Sequence, residues 1–182
     1  YLGRLVDLKA VDILLHALSN VRTPNPPRLE IIGDGPMRPQ LQGLVETLDL
    51  SDRVDFYGWL TQAECSRRLQ DADVLVLSSI FECGGAVVLE AMACAKPVIS
   101  TDWGGPADYL DESCGILIEP ASRNTMISGF ANAMTQLALD PALREKLGRA
   151  GRKKIEREFD WDVKVDKILE IYQLAIANVR NA

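Results

Sequence analysis

The feature that most constrains this chain is an alternation. Short apolar runs at Tyr1–Leu5, Leu29–Ile32, Arg53–Tyr57, Val74–Leu77, Pro97–Ser100 and Gly115–Ile118 are separated by turns and by stretches whose apolar residues recur at helical spacing. Helices are expected over Val11–Val21, Met37–Leu48 and Thr61–Gln70, the last opening on Thr-x-x-Glu, a capping-box pattern. Val74–Leu77 is apolar without a break, which predicts a strand buried on both faces. Strand and helix in strict alternation imply a parallel sheet with helices on both faces, because a parallel connection must cross back over the sheet. The fold class expected is therefore α/β and Rossmann-like. From Asn124 onward the pattern is helical, with breaks at Asp140-Pro141 and Phe159-Asp160. Residues 141–182 are read as C-terminal helices of the same domain, and the 182 residues as one domain.

In open sheets of this kind ligands sit at the carboxyl ends of the strands. Arg4, Gly33, Gly58, Glu82 and Gly104 all follow strands and are candidates on that ground. The richest segment is Phe81–Met92, F-E-C-G-G-A-V-V-L-E-A-M. There a glycine step opens a helix, and free backbone N–H groups at a helix start can meet an anion. Glu82 and Glu90 bracket that place. A carboxylate touching a phosphate would be repelled, so the two are suited to neutral hydroxyls, such as those of a sugar or a ribose. An ordinary loop glutamate and a helix-N-terminal glutamate fit the spacing as well, with Glu90 in an early turn of its helix. Arg4 and Lys9 lie at the end of the first run, in G-R-L-V-D-L-K, and offer a donor fork and a compact charge for a diphosphate. Two solvated surface cations are the plain alternative. Gly33-Asp34-Gly35-Pro36 is a turn that needs small residues, or a place of close backbone approach to a ligand.

Other readings follow from composition. A net charge of −6 argues against a general nucleic-acid surface. Within that balance Arg144–Arg157 is basic, read either as a solvated helix face or as attraction to an anionic membrane surface or acceptor. No run approaches the ~18 apolar residues that span a bilayer. Cys65, Cys83, Cys94 and Cys114 form no C-x-x-C pair, and the single histidine, His16, sits in a helical pattern, so no metal site is expected. Reduced thiols suggest a cytoplasmic protein, with peripheral membrane contact as a further reading of the basic segment. Cys83 is the thiol expected to be exposed beside the site. The chain opens at Tyr1 inside a strand pattern and is read as lacking an N-terminal part.

The ordered motifs G-R-L-V-D-L-K, I-I-G-D-G-P, R-V-D-F-Y-G, A-D-V-L-V-L-S-S, F-E-C-G-G-A-V-V-L-E-A-M-A, K-P-V-I-S-T-D-W-G-G-P and G-I-L-I-E-P carry a resemblance. Together they resemble the C-terminal, donor-binding domain of family 4 retaining glycosyltransferases, enzymes with the two-domain B-type fold. The resemblance implies a substrate that is a nucleotide diphosphate sugar, UDP- or GDP-linked, with no metal and no further cofactor. It implies that Arg4 and Lys9 hold the diphosphate and that Glu82 lies near the transferred sugar. Glu90 would then bind the ribose. Backbone groups of Cys83, Gly84, Gly85, Ala86 and Val87 would face sugar and phosphate, while Gly33, Tyr57 and Gly58 would line the nucleotide pocket. The chain departs from the family pattern at Ala10 and Ala95, where glycine is common, at Ser78, where proline is common, and in E-C-G-G, where E-G-F-G is frequent.

On this reading the activity is transfer of a hexose with retention, in polysaccharide or glycolipid synthesis, and the missing N-terminal domain supplies the acceptor site. The isolated chain is expected to bind nucleotide and transfer little. A sugar-nucleotide epimerase of the same fold and a nucleotide-binding module without catalysis are the competing classes. Phe159 and Trp161 are read either as core aromatics or as the start of a segment returning to the first domain, the latter leaving apolar surface exposed.

Overall fold

A computed structural model describes the backbone of residues 1–180 and side chains through residue 178. Asn181 and Ala182, part of the expected 141–182 helical region, lie outside the described residues. In chain order the elements are α1 (Val11–Asn20), β1 (Leu29–Ile32), α2 (Arg38–Thr47), β2 (Val54–Gly58), α3 (Gln62–Asp71), β3 (Leu75–Leu77), α4 (Ala86–Ala93), β4 (Val98–Thr101), α5 (Gly105–Tyr109), β5 (Gly115–Ile118), α6 (Arg123–Leu139), α7 (Pro141–Lys154) and α8 (Trp161–Arg180). A 3₁₀ turn, Asp7–Lys9, precedes α1, and a π turn, Ile155–Phe159, joins α7 to α8.

All strand pairs are parallel, as the alternation requires. β1 pairs with β2, and β3, β4 and β5 form a second ladder with Leu75, Val98 and Gly115 in line. The expected strand Tyr1–Leu5 is not a regular strand. It meets β1 through a single bridge, Leu2 to Ile32, in which Ile32 N–H donates to Tyr1 O and Gly3 N–H to Ile32 O, both at 2.9 Å. Beyond Gly3 the pairing is lost, because the Leu5 N–H turns to the Asp34 carbonyl in the turn after β1. The ladders are tied together at their carboxyl ends instead. Ile80 N–H donates to Leu8 O at 2.9 Å, and the buried Ser78 hydroxyl donates to Lys9 O at 2.8 Å, with Ala10 O at 3.0 Å. Ser78 thus fastens the end of β3 to the turn that carries Lys9.

Helices cover both faces. α1, α2 and α6 pack together on one side, and α4, α5 and α7 on the other, with β4 touching α4, α5 and α6. Leu75, Val76 and Leu77 are buried, as are all four residues of β4, which fits the unbroken apolar run. The Thr61 capping box forms as the sequence predicts: Thr61 N–H donates to Glu64 Oε2 at 2.8 Å, and Glu64 N–H to Thr61 Oγ1 at 3.3 Å. Ala10 and Ala95 both adopt left-handed backbone, φ 45° and 55°. That geometry is why glycine suits these two positions.

The basic segment is largely engaged within the chain. Arg144 pairs with Asp73, Arg149 with Glu145, Arg152 with Glu156 and Arg157 with Glu158. Arg152 also donates to the carbonyl of Ala93 at 2.6 Å, fixing α7 to the end of α4. Lys154 donates to Asp111 Oδ2 at 2.6 Å and ties α7 to the loop before β5. The Lys154 ammonium and the Ser113 hydroxyl hold the Asp111 carboxyl well below the usual carboxylate range. A lowered folded pKa contributes stability above the unfolded pKa of about 3.9 and loses it as pH falls through the folded value. Asp111→Asn should therefore cost about 0.5–1 kcal/mol at neutral pH, a modest figure because the pair is partly solvated. Urea unfolding of both proteins from pH 7 to pH 2 should show that difference shrink below about pH 4.

The expected aromatic pair divides. Phe159 sits edge-on to Tyr109, with ring centroids 5.4 Å apart, whereas Trp161 is 82 % exposed. α8 leaves Val165, Ile168, Leu169, Ile171, Tyr172, Leu174 and Ile176 exposed, so the apolar surface expected of a returning segment is present. Among the described residues no helix is long and apolar enough to cross a membrane.

Candidate functional site

The site forms where the turn after the Tyr1 segment meets the end of β3. The 3₁₀ turn ends at Lys9, and Lys9 Nζ forms an ion pair with Glu82 Oε2. The two side chains are only 21 % and 13 % exposed. Ser79 Oγ donates to the same carboxylate oxygen at 3.1 Å. Ser79 is itself fixed from below, since the buried Thr101 hydroxyl at the end of β4 donates to its carbonyl. Lys9 and Glu82, assigned by resemblance to a diphosphate and to a sugar, thus touch one another. Arg4 is exposed, and among the described residues its guanidinium has no ion pair. Its carbonyl accepts from the Tyr1 hydroxyl at 2.9 Å.

Beside this pair runs the loop Glu82–Gly85. Gly85, φ +63°, is the N-cap of α4 and brings no side chain to cap it. Val88 N–H bonds back to Gly85 O, which leaves the N–H groups of Ala86 and Val87 at the helix start. Cys83, Gly84 and Ala86 are exposed and Val87 is half-buried. A Cβ on Gly84 would meet nothing within 4 Å, so that backbone is open to an approaching group. The N-terminus of α4 carries partial positive charge, and the Glu82 side chain lies against it, its Cγ 3.2 Å from where a Cβ on Gly85 would sit.

The loop rests on a second glycine pair. Gly104 has φ +60°, and a Cβ there would lie 1.8 Å from the carbonyl oxygen of Glu82. A Cβ on Gly105 would lie 2.1 Å from the carbonyl oxygen of Gly84. Gly105 N–H donates to Cys83 O at 3.2 Å. Gly104 was a candidate by its place after a strand. Gly105, Ser79 and Thr101 were not, although the Gly-Gly-Pro after β4 was a signal that backbone comes close there.

The nucleotide-side candidates have mixed placements. Gly33, φ +129°, donates its N–H to Gly58 O at 2.8 Å, and a Cβ on it would lie 2.0 Å from Gly3 O. Gly33 and Gly58 therefore knit the ends of β1, β2 and the Tyr1 segment. The turn is closed by Asp34, which accepts from Gly35 N–H at 2.7 Å and pairs with Arg38 at 2.9 Å. The ring of Tyr57 is engaged on one face by Arg68, whose guanidinium carbon is 3.8 Å from the centroid. Glu30 accepts from both the Tyr57 hydroxyl, at 3.3 Å, and Arg68, at 3.1 Å. Glu90 is exposed and is the fifth residue of α4, in an early turn of a helix that begins after Gly85. Burial, followed by the charge of Glu90, pushes the Cys65 thiol up, and Cys65 Sγ reaches Leu60 O at 3.9 Å. Among the described residues no three His, Cys, Asp or Glu side chains gather to hold a metal ion.

Residues 1–154 match the family described as Glycosyl transferases group 1. The chain is 34 % identical over 99 % of its length to a D-inositol 3-phosphate glycosyltransferase of Streptomyces bingchenggensis, of which it covers 41 %. It is 32 % identical over 97 % of its length to a lipopolysaccharide core biosynthesis glycosyltransferase of Rhizobium meliloti, of which it covers 49 %. Among solved structures it is similar to a mutant of TarM of S. aureus in complex with fondaparinux, alpha-GlcNAc-glycerol and UDP, with a TM-score of 0.81 and 26 % identity over 94 % of this chain and 34 % of that one. The chain spans less than half the length of these curated relatives. With a family match over most of its length and a parallel α/β fold that agrees with it, the chain belongs to the group 1 glycosyl transferases.

Proposed function

We propose that the chain is the donor-binding half of a retaining glycosyltransferase. It takes a hexose from a UDP- or GDP-linked carrier, for transfer to an acceptor hydroxyl in polysaccharide or glycolipid synthesis. The observation that carries this reading is the meeting of Lys9 and Glu82 beside the open glycine loop and the uncapped start of α4. One cation, one hydroxyl-accepting carboxylate and free backbone N–H groups at one opening suit a diphosphate joined to a sugar. TarM, similar in fold, is seen with UDP, and the two curated relatives are named as glycosyltransferases.

In the reaction the bond between the anomeric carbon and the diphosphate oxygen breaks. The acceptor oxygen bonds to that carbon on the same face, and its proton passes to the leaving phosphate oxygen. Negative charge grows on the diphosphate as the bond breaks, so groups aimed there stabilise the transition state more than the ground state. Lys9, Arg4 and the N–H groups of Ala86 and Val87 have that role. Glu82 holds sugar hydroxyls, and Glu90 holds the ribose, with the base against the backbone around Gly33 and Gly58. The acceptor is bound by a part of the protein outside this chain, so the chain alone binds donor and transfers little.

Thermal unfolding and calorimetry of the chain with UDP, GDP and ADP test the assignment. UDP or GDP should raise the melting temperature and bind with a one-to-one stoichiometry. Glu90→Ala should weaken the bound nucleotide roughly tenfold, the loss of one or two charge-assisted hydrogen bonds. Absence of binding by all three nucleotides would overturn the reading.

A further inference from the structure

Lys9 and Glu82 neutralise one another, so an anion that claims the Lys9 ammonium takes it from Glu82. Both side chains are largely withdrawn from solvent, and the polar partners of the Glu82 carboxylate are Lys9 and Ser79. A diphosphate entering beside α4 draws Lys9 toward itself. Glu82 then keeps a single hydroxyl donor, with a new anion close by. A half-buried carboxylate in that position is destabilised, both by lost pairing and by like-charge repulsion. Sugar hydroxyls, if present, donate to Glu82 and replace the ammonium it has lost. A bare nucleoside diphosphate brings no such donors.

We propose that the Lys9–Glu82 pair makes this site discriminate between a nucleotide carrying its sugar and the spent nucleoside diphosphate. This rests on the donor-site reading above. The sugar-bearing molecule exchanges one set of partners on Glu82 for another, whereas the bare diphosphate must break the pair without replacement. After transfer the sugar is gone, Glu82 takes Lys9 back, and the spent nucleotide is released. One carboxylate thus couples sugar recognition to the hold on the phosphates, and product leaves because the ion pair re-forms.

Calorimetry of the chain with UDP and UDP-glucose, and with GDP and GDP-mannose, tests this in wild type, Glu82→Gln and Ser79→Ala. In Glu82→Gln the bare diphosphate should bind roughly tenfold more tightly, the equivalent of about 1.4 kcal/mol. The sugar-bearing nucleotide should bind no more tightly, so the preference for it shrinks. Ser79→Ala should act in the opposite direction and weaken the bare diphosphate, because Glu82 is left with no donor once Lys9 departs. Melting curves establish that both variants are folded. If Glu82→Gln does not bind the bare diphosphate more tightly, or if its gain is equal for both molecules, the discrimination is refuted. Should Glu82→Gln fail to fold, unchanged or tighter binding of the bare diphosphate by Ser79→Ala refutes it. Wild-type protein that binds none of the four probes would instead refute the donor-site reading itself.

Discussion

On the donor-site proposal, replacing Lys9 by methionine should lower turnover of the enzyme that contains this chain by about a hundredfold or more, the size of effect seen when one donor to a developing oxyanion is lost. Methionine keeps most of the side-chain length and removes the charge. The backbone at Lys9 is held independently, since its carbonyl accepts from Ser78 and its N–H donates to Val6 O. The turn should survive, and the melting temperature should fall only by what an unpaired Glu82 costs. Steady-state rates with saturating donor measure the loss, and calorimetry with UDP and GDP on the shorter chain measures how much of it is binding. A turnover within a factor of a few of wild type would remove Lys9 from the reaction. Arg4 is exposed, in the Tyr1 segment that precedes this turn, so Arg4→Ala should weaken donor binding without disturbing Glu82.

Gly104→Ala should be the most damaging small substitution near the site. Its φ of +60° and ψ of −145° fall in a region almost reserved for glycine. A Cβ would also lie 1.8 Å from the Glu82 carbonyl oxygen, a backbone atom that cannot rotate away. Backbone strain and overlap together should cost about 3 kcal/mol or more, and any relief must come from shifting the loop that carries Glu82. Urea unfolding should show the loss of stability, and donor affinity should fall with it. Gly84→Ala is the contrasting case. No atom lies within 4 Å of its Cβ, so its stability should stay within about 0.5 kcal/mol of wild type. If the two variants proved equally stable, the close approach of the Gly104 loop to Glu82 would be wrong.

Much of the fold was legible from local pattern. Leu29–Ile32 and Gly115–Ile118 are strands over the expected residues, and α1 begins at Val11 as its apolar spacing predicts. The Thr61 cap could be read because both of its partners lie within one turn. Tyr1–Leu5 misled because its apolar run satisfies the strand pattern, yet Leu5 bonds to a turn carbonyl and only Leu2 bridges. Glu90 lies in an early turn of its helix, as its place after the glycine step suggests, but the first residue of that helix was not legible. A Gly-Gly step does not reveal which glycine takes the left-handed conformation that starts the helix, and here it is Gly85.

By itself the sequence determined a parallel α/β domain, the strand ends at which chemistry can sit, and the residue types gathered there. These are local or periodic properties, set by burial on two faces and by which residues can turn. Tertiary structure alone decided that Lys9 and Glu82, 73 residues apart, share one ion pair. It likewise decided that Gly104 supports the Glu82 loop from beneath, and that the ring of Tyr57 is engaged by Arg68. Such contacts depend on how segments that follow separate strands meet at the carboxyl ends of the two ladders. No spacing along the chain encodes that distance, because it is the crossovers through the helices that bring those loops together.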